Sequence, residues 1–522
     1  MTADPFLARG APAPRAPWPK TVSGEVTTFQ VASPDLEAVA RDLATELRLA
    51  DMFAAGSGGS SPRASRAASD GDTTTLRLVW ANDTEGQGGY VITETPLDDG
   101  VYPALSDIAP AAFVEECEIY EQFGIRPATG KPLNRVMLPP HADLPTLGRK
   151  PLTEPEEARA QHTVGGQAFE FPFGPVRQVG VESLYYGLVT SGEEVVDLYL
   201  FTWHKHRGLE WRLQGKTPQQ ALFLAERAEG LSAVALGWAL AAAAESAVGA
   251  PVPEAAQRTR AVALELERLY NHAAAMAALC QSTGLTVGQS AAEIALERLL
   301  RLNARAFGHR YLFGVIAAGG VSRGPDADAI RTVLPGAYGE FNCAAEALLG
   351  TNSFLDRLEA TGVLSAGQAR DLGLVGPVAR ASGLGTDSRR VPGGPYGNEM
   401  TVPTRTTGDV LARFTVMLAE AAESVRLIGS LLDAGTAPVA EASTADLARA
   451  DGAGLGWAES PRGEALAWVE LGPDGRITRA RLRPASARNW RGFDDACRSQ
   501  NVFTDIPIIE ASFWLTVAGM AR

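Results

Sequence analysis

Glu265, Arg268 and His272 recur three and four positions apart. On an α-helix that spacing brings side chains onto one face and within reach of one another. A carboxylate, a guanidinium and an imidazole so placed suit a charge or proton relay. An interhelical polar network is the commoner outcome, because buried charges persist when they are paired. Arg207 and Glu210 stand three positions apart, and Asp387 precedes Arg389 and Arg390. His204, His206 and His309 titrate near neutral pH, although a lone histidine is more often a hydrogen-bonded structural residue than a ligand.

Other chemistries lack their residues. Cys117, Cys280, Cys343 and Cys497 make no CxxC and no Cys/His cluster, so neither a zinc nor an iron–sulfur site is expected. Thiols so far apart read as reduced. The one Gly-x-Ser-x-Gly string, Gly320-Val321-Ser322-Arg323-Gly324, runs straight into Pro325 and reads as a glycine-rich loop rather than a nucleophile turn. No phosphate-binding Gly-rich loop of either common type occurs. Against 61 Asp+Glu there are 47 Lys+Arg, a formal charge of −14, which leaves no clustered basic surface for a nucleic-acid backbone. Pro12, Pro14, Pro17 and Pro19 interrupt the start of the chain, which lacks the apolar core of an export signal. The apolar run over 230–244 stops at Glu245, short of the ~20 residues that span a bilayer, and reads as a buried helix.

The elements that must position these groups can be read from periodicity. With 522 residues, 45% hydrophobic and 21% charged, the chain is expected to form several well-packed units. After a proline-rich start over 1–25, residues 26–49 read as a strand entering a helix, 54–72 as a Gly/Ser-rich surface loop, and 75–80 and 90–95 as strands. These make a small α/β domain over 26–140, followed by a linker at 141–166 and a mostly helical domain over 167–522. In 256–283, Val262, Leu266, Leu269, Ala273, Met276 and Leu279 form one stripe, and Gly284 follows as a stop. Ser290 and Glu293 read as the capping pair opening a second helix that ends near Gly308. A third spans 408–433, with Phe414, Met417, Ala421, Val425, Ile428 and Leu432 on its stripe. Three such stripes require a bundle. Strands at 464–471 and 476–483 flank Gly472-Pro473-Asp474-Gly475, a hairpin on which Arg479, Arg481 and Arg483 share what reads as a solvated face.

Several strings carry a resemblance. Glu118-Ile119-Tyr120-Glu121-Gln122-Phe123-Gly124-Ile125, followed by Asn134-Arg135-Val136-Met137-Leu138-Pro139, resembles the signature of the C subunit of bacterial NADH–quinone oxidoreductase, complex I. Gly174-Pro175, His206-Arg207-Gly208-Leu209-Glu210, Glu267-Arg268-Leu269-Tyr270-Asn271-His272, Gly308-His309-Arg310, Arg380-Ala381-Ser382-Gly383 and Pro461-Arg462-Gly463-Glu464 resemble its D subunit. They resemble still more the large subunit of the formate-hydrogenlyase type of nickel–iron hydrogenase, in which C-like and D-like parts are fused. The resemblance covers nearly all of the chain after its first 25 residues, and its specificity lies in the order and spacing of the strings.

The resemblance implies an α+β protein, with a C-like α/β domain before a D-like helical bundle with flanking β-hairpins. Hydrogenases of this family hold nickel and iron with four thiolates. Glu229, Ser232, Thr516 and Gly519 stand at those positions here, so no metal ligand and no nickel–iron centre are expected. In the D subunit the same cavity adjoins a quinone headgroup, with a histidine in a Gly-Pro-x-His loop and a tyrosine on the first bundle helix. Arg177 and Gly230 occupy those places, and an arginine does not give up its proton at working pH. Arg177, Glu229 and Asp387 are the expected wall of a quinone-like cavity. Glu210 matches a glutamate that relays protons from the metal thiolate, and without that thiolate a buried ion pair is the commoner role. Iron–sulfur clusters and NAD would belong to partner subunits. The implied partners are an iron–sulfur small subunit and antiporter-like membrane subunits, with this chain peripheral on the cytoplasmic side of the plasma membrane. Its expected role is electron or proton transfer through Glu210, Arg207, Glu265, Arg268 and His272 toward a quinone-like or other acceptor. A non-catalytic scaffold and, third, an independent soluble enzyme are the alternatives.

Overall fold

A computed structural model describes residues 26–56, 74–84, 88–97, 100–128, 133, 135–138, 168–176, 182–202, 204–391, 394–397, 400–437, 451–498 and 500–522. The proline-rich start, the linker at 141–166, most of the Gly/Ser-rich stretch and Arg177 lie outside the described residues. The chain divides into two compact units, one of Met1–Arg135 with Pro140–Ala158 and one of Val136–Pro139 with Arg159–Arg522.

In the first unit, β1 (Val26–Gln30) leads into α1 (Leu36–Leu43), and β2 (Arg48–Gly56), β3 (Thr74–Asn82) and β4 (Gly89–Leu97) follow. The sheet order is β1-β4-β3-β2, with β1 parallel to β4 and the other pairs antiparallel. Leu36 and Val39 of α1 pack with Met52, Leu76, Leu78, Trp80 and Val91 from the sheet. β5 (Val101–Pro103) pairs with β6 (Arg126–Ala128) on either side of α2 (Phe113–Phe123), which Gly124 ends at φ 73°. That left-handed position suits glycine, which has no Cβ to clash. Glu116 of α2 is buried because it takes the backbone amides of Leu105 and Ser106 at 2.7 and 3.1 Å, bracing the preceding loop.

The second unit opens with an antiparallel sheet of β7 (Phe169–Phe173), β8 (Tyr185–Ser191) and β9 (Glu194–Phe201). Helices α3 (Leu209–Leu213), α4 (Pro218–Ala225), α5 (Ala233–Val248), α6 (Glu254–Ser282) and α7 (Thr286–Phe307) follow. A two-residue hairpin, β10 (Ile316–Ala317) with β11 (Gly320–Val321), precedes α8 (Ala327–Leu349), α9 (Asn352–Leu358), α10 (Ala366–Asp371), α11 (Gly376–Ala381) and α12 (Val410–Asp433). The chain ends with an antiparallel sheet β12 (Gly452–Ser460), β13 (Gly463–Leu471) and β14 (Ile477–Arg483), then α13 (Ala485–Cys497) and α14 (Ile506–Phe513). The bundle is α6 packed on α7 and α12, with α7 on α8. The stripes read at 256–283 and 408–433 are the buried faces of α6 and α12.

One expectation is corrected. Ser290 and Glu293 do not open α7, which begins four residues earlier at Thr286. Gly284 at φ 76° and the amide of Leu285, which bonds back to the Cys280 carbonyl at 2.8 Å, close a tight turn between α6 and α7. Ser290 therefore sits inside the helix. α8, which the sequence does not single out, runs through Pro335 and starts at an Asp326 cap whose side chain takes the amide of Ala329 at 2.9 Å.

The expected buried helix lies in 230–248, which by length and composition alone is apolar enough to cross a bilayer; 67% of its most apolar window is buried within the protein. Its alanine-rich α5 portion packs on β12 and β13. Gly452, Gly454 and Gly456 lie at every second position of β12, on the face toward α5. A Cβ at Gly456 would fall 2.2 Å from the Ala239 carbonyl oxygen and 2.3 Å from the Ala243 nitrogen. Small residues on both surfaces thus let helix backbone rest on strand backbone. Gly456→Ala is expected to destabilise the protein by about 3 kcal/mol or more through overpacking. Gly429→Ala, at an exposed α12 position with no atom within 4 Å of the new methyl, is expected to stabilise by ~0.5–1 kcal/mol. Denaturant midpoints of the two variants check both signs.

Candidate functional site

α6 carries five buried polar residues in two turns, Glu265, Glu267, Arg268, Asn271 and His272. They do not form a self-contained relay along the helix. Their side chains reach across to neighbouring elements, Glu265, Arg268 and His272 all to α12, and the result is an interhelical lattice.

Glu265 accepts from both sides: Arg389 Nη1 lies 3.0 Å from each carboxyl oxygen, and Arg268 Nε and Ser424 Oγ approach Oε2 at 3.2 and 2.6 Å. Arg268 also donates to the Glu459 and Ser460 carbonyls at 2.6 and 3.2 Å and lies 3.6 Å from Glu420. His272 Nε2 is 2.9 Å from Glu420 Oε2. Arg380 of α11 is the hub. Its Nε donates to Glu420 at 2.7 Å, and its Nη1 reaches Glu459 at 2.9 Å and Asp387 at 3.1 Å. Arg389 clamps Asp387 through Nε and Nη2 at 2.9 and 2.6 Å.

Charge pairing overrides desolvation for most of these groups. Burial works against the Glu420 carboxylate, yet Arg380 and the His272 hydrogen bond hold it down to about 2. Burial likewise opposes ionisation of Glu265 and Asp387, and both are held below the usual carboxylate range, Glu265 by Arg389 and Arg268 and Asp387 by Arg389 and Arg380. Two groups go the other way. Burial lowers His272 and keeps it neutral near pH 7. Glu459 is raised by burial and by the neighbouring Asp387. Glu267 stands apart from the lattice: it takes the Val234 and Ala235 amides at the start of α5 at 2.7 and 3.2 Å, and burial pushes it up to about 8.

A second cluster gathers the four positions that the sequence resemblance matches to thiolate ligands. Glu229 Oε1 accepts from Thr516 Oγ1 at 2.6 Å and from Ser486 Oγ. Thr516 Oγ1 takes the Gly519 amide at 3.3 Å, and the Ser232 amide bonds to the Glu229 carbonyl at 2.8 Å. Arg462 donates to Ser232 Oγ at 3.0 Å and to Asn271 Oδ1 at 3.3 Å, and its Nε is 3.9 Å from Glu229. Arg207 ties this cluster to the chain end through the Ala228, Ala518 and Ala521 carbonyls at 2.5, 2.6 and 3.2 Å. These donors are oxygens bonded to one another, which is a poor fit to a nickel–iron pair that requires soft bridging thiolates. The cysteines form no disulfide and lie elsewhere: Cys280 two turns beyond His272, Cys497 at the far end of α13 from Ser486, Cys343 exposed on α8 and Cys117 on α2. Burial pushes Cys280 up to about 11, the setting of an inert thiol.

Glu210 forms a third cluster, 3.1 Å from Arg522, 3.7 Å from Arg481 and 3.8 Å from Arg479, with the Leu482 amide at 3.0 Å. Although burial opposes its charge, these guanidiniums hold it below the usual carboxylate range. The arginine face of the hairpin is thus corrected: Arg479, Arg481 and Arg483 are buried rather than solvated. β14 packs against α3, which brings Glu210 under the strand, while Arg483 binds Glu464 of β13 at 2.5 Å.

The structure therefore brings Glu265, Arg268, His272 and Asp387 together, places Glu229 beside Ser232, Thr516 and Gly519, and sets Glu210 in its own ion pairs. Ser460 and Arg462 bridge the first two clusters, since Arg268 holds the Ser460 carbonyl and the Arg462 amide bonds to Ser460 Oγ at 3.2 Å. Glu420 and Glu459 escape the sequence reading. Glu420 offered a signal, a charged residue beside Ala421 and one turn from Met417 on an apolar stripe. Arg380 and Arg462 lie within recognised strings but gain roles only from their partners.

The family described as "Respiratory-chain NADH dehydrogenase, 49 Kd subunit" matches residues 291–446. Formate hydrogenlyase subunit 5 of Escherichia coli is 28% identical over 442 residues, 81% of this chain and 77% of that protein. The D subunit of the NADH-quinone oxidoreductase of Desulforamulus reducens is 30% identical over 254 residues, 47% of this chain and 69% of that protein. Among solved structures, a chain of the membrane-bound sulfane sulfur reductase, an archaeal respiratory membrane complex, matches with a TM-score of 0.63 at 23% identity, over 69% of this chain and 100% of the other, a likeness of fold. On the strength of these matches, the chain belongs to the family of the 49 kDa, or D, subunit of respiratory-chain NADH dehydrogenase and its hydrogenase relatives.

Proposed function

We propose that this chain is a cytoplasm-facing subunit of a membrane-associated, complex I-like or hydrogenase-like oxidoreductase, that it holds no nickel–iron centre of its own, and that its buried polar groups move protons in step with electron transfer to a quinone-like or other acceptor. Two relatives are named as subunits of formate hydrogenlyase and of NADH-quinone oxidoreductase. The observation that carries the reading is the closed cluster of Glu229, Ser486 and Thr516 at the positions of the missing thiolates, joined to the charge lattice through Arg462 and Ser460.

Hydroxyls and carboxyls in contact exchange protons readily, whereas the guanidiniums among them stay charged and serve to set the field. Glu229, Ser486 and Thr516 are then the proton-handling groups, and Arg207 and Arg462 hold them in place. Quinone is the candidate ligand beside this cluster, with Glu229 as the residue that would face it, while Asp387 lies in the charge lattice with Arg380 and Arg389. Iron–sulfur clusters and NAD belong to partners, of which an iron–sulfur small subunit and antiporter-like membrane subunits are the proposed set. The first unit is proposed as the C-like domain on the strings at 118–125 and 134–139.

Affinity purification of the full chain from its own membranes is expected to retain a cluster-bearing small subunit. Glu229→Gln, which keeps the shape of the carboxyl, is expected to leave assembly intact and to lower turnover per assembled complex by roughly a hundredfold, the scale of a lost acid–base group. Failed assembly with unchanged turnover in the complexes that do form would instead establish the scaffold role.

A further inference from the structure

The lattice around Arg380 contains an imbalance of charge-bearing groups. Three guanidiniums, Arg268, Arg380 and Arg389, face four carboxyls, Glu265, Glu420, Asp387 and Glu459, and all seven are buried. His272 adds no positive charge while neutral, and its one described carboxyl contact is Glu420. Full ionisation would leave one net negative charge in a water-excluded core, a state that proteins avoid by taking up a proton.

The geometry selects which carboxyl takes it. Glu265 and Asp387 each receive two guanidiniums, and Glu420 receives Arg380 and Arg268 as well as His272. Glu459 has one, Arg380, and shares its Nη1 with Asp387 and with the Thr386 carbonyl, so three acceptors compete for the two hydrogens of one amino group. The other oxygen of Glu459 accepts the Ser388 backbone amide at 3.1 Å and lies 2.8 Å from the Ser388 hydroxyl, a neutral partner that can accept a hydrogen bond from a protonated carboxyl as well as donate one. Arg390, next to Arg389 on the turn that packs on β12, is half-exposed, unlike the buried seven. On β13, Glu464 lies opposite Glu459 in register and is taken by Arg483. On α5 the one charged residue, Glu245, is taken by Arg260. On α6, Glu267 faces the α5 amides, and Arg462 in the β12–β13 turn faces Ser232 and Asn271.

We propose that the lattice binds one proton near neutral pH and that Glu459 is its seat, with Asp387 the ionised partner and Arg380 the group shared between them. The inference stands on the charge balance of the lattice and not on the redox reading, so either can fail alone. With Glu459 neutral, three cations match three anions. Loss of the proton would return the excess charge to the Arg380 hub, which also holds Glu420 and, through it, His272. Glu459 is thus the titratable member of a site whose other groups keep fixed charge.

The linkage has a definite sign. A carboxyl raised above its unfolded value of roughly 4.3 binds more protons folded than unfolded. Its contribution to stability therefore declines as pH rises from that unfolded value to the folded one. The test uses the purified full chain. Near pH 7, Glu459→Gln mimics the protonated acid, and its unfolding constant is expected to stay within about threefold of the parent. Glu420→Gln and Asp387→Asn strand a guanidinium and should raise the unfolding constant by more than roughly a hundredfold or prevent folding. The infrared difference between parent and Glu459→Gln should contain the carbonyl band of a protonated acid, and the variant should lose the pH-dependent decline. The proposal is overturned if Glu459→Gln destabilises as much as Glu420→Gln, or if the difference spectrum shows only carboxylate bands.

Discussion

The second unit depends on neutralising guanidiniums that have no water. Arg380 is the clearest case: it is buried and receives carboxyls from α12, from the turn after α11 and from β12. Removing one partner from such a set costs about 3–5 kcal/mol, because the remaining charge is left in a medium that cannot solvate it. Helices that pack by apolar stripes alone tolerate small slides. Helices joined through Arg268, Arg380 and Arg389 do not, since a shift of one residue unpairs several charges together. The apolar stripes bring α6 and α12 together, and the lattice fixes their register.

The same fixed positions give the neighbouring cluster its character. At the positions that the sequence resemblance matches to thiolate ligands, this chain has a carboxyl, two hydroxyls and a glycine, and the carboxyl bonds one of those hydroxyls directly. Arg207 holds both chain segments that supply them, residues 227–228 and 518–521. A site so stitched presents a carboxyl and hydroxyls bonded to one another, the groups on which the proposed proton handling rests. Glu210 is set apart from both clusters, a carboxylate ion-paired with Arg479, Arg481 and Arg522.

What could be read from the sequence follows from locality. The faces of α6 and α12 were visible because their stripes repeat within each helix. The start of α7 was not, because a turn bond between Cys280 and Leu285 decides it rather than the capping pair at Ser290 and Glu293. Pro335, Gly336 and Gly339 hid α8. The alternation of Arg479, Arg481 and Arg483 with small and apolar residues looks like a half-exposed strand, and only the fold brings Glu210 beneath it. The lattice was half legible: spacing grouped Glu265, Arg268 and His272, whereas Glu420, Arg380 and Glu459 join from distant positions whose pairing no local pattern encodes.

The central claim is that hard, mutually bonded oxygens occupy the place of a metal centre. Nickel and iron quantification on the complex purified with this chain at full length, grown with nickel supplied, tests it most directly. The expected result is iron accounted for by cluster-bearing partners and no stoichiometric nickel. One nickel per chain, with sulfur in its coordination shell by X-ray absorption, would contradict it.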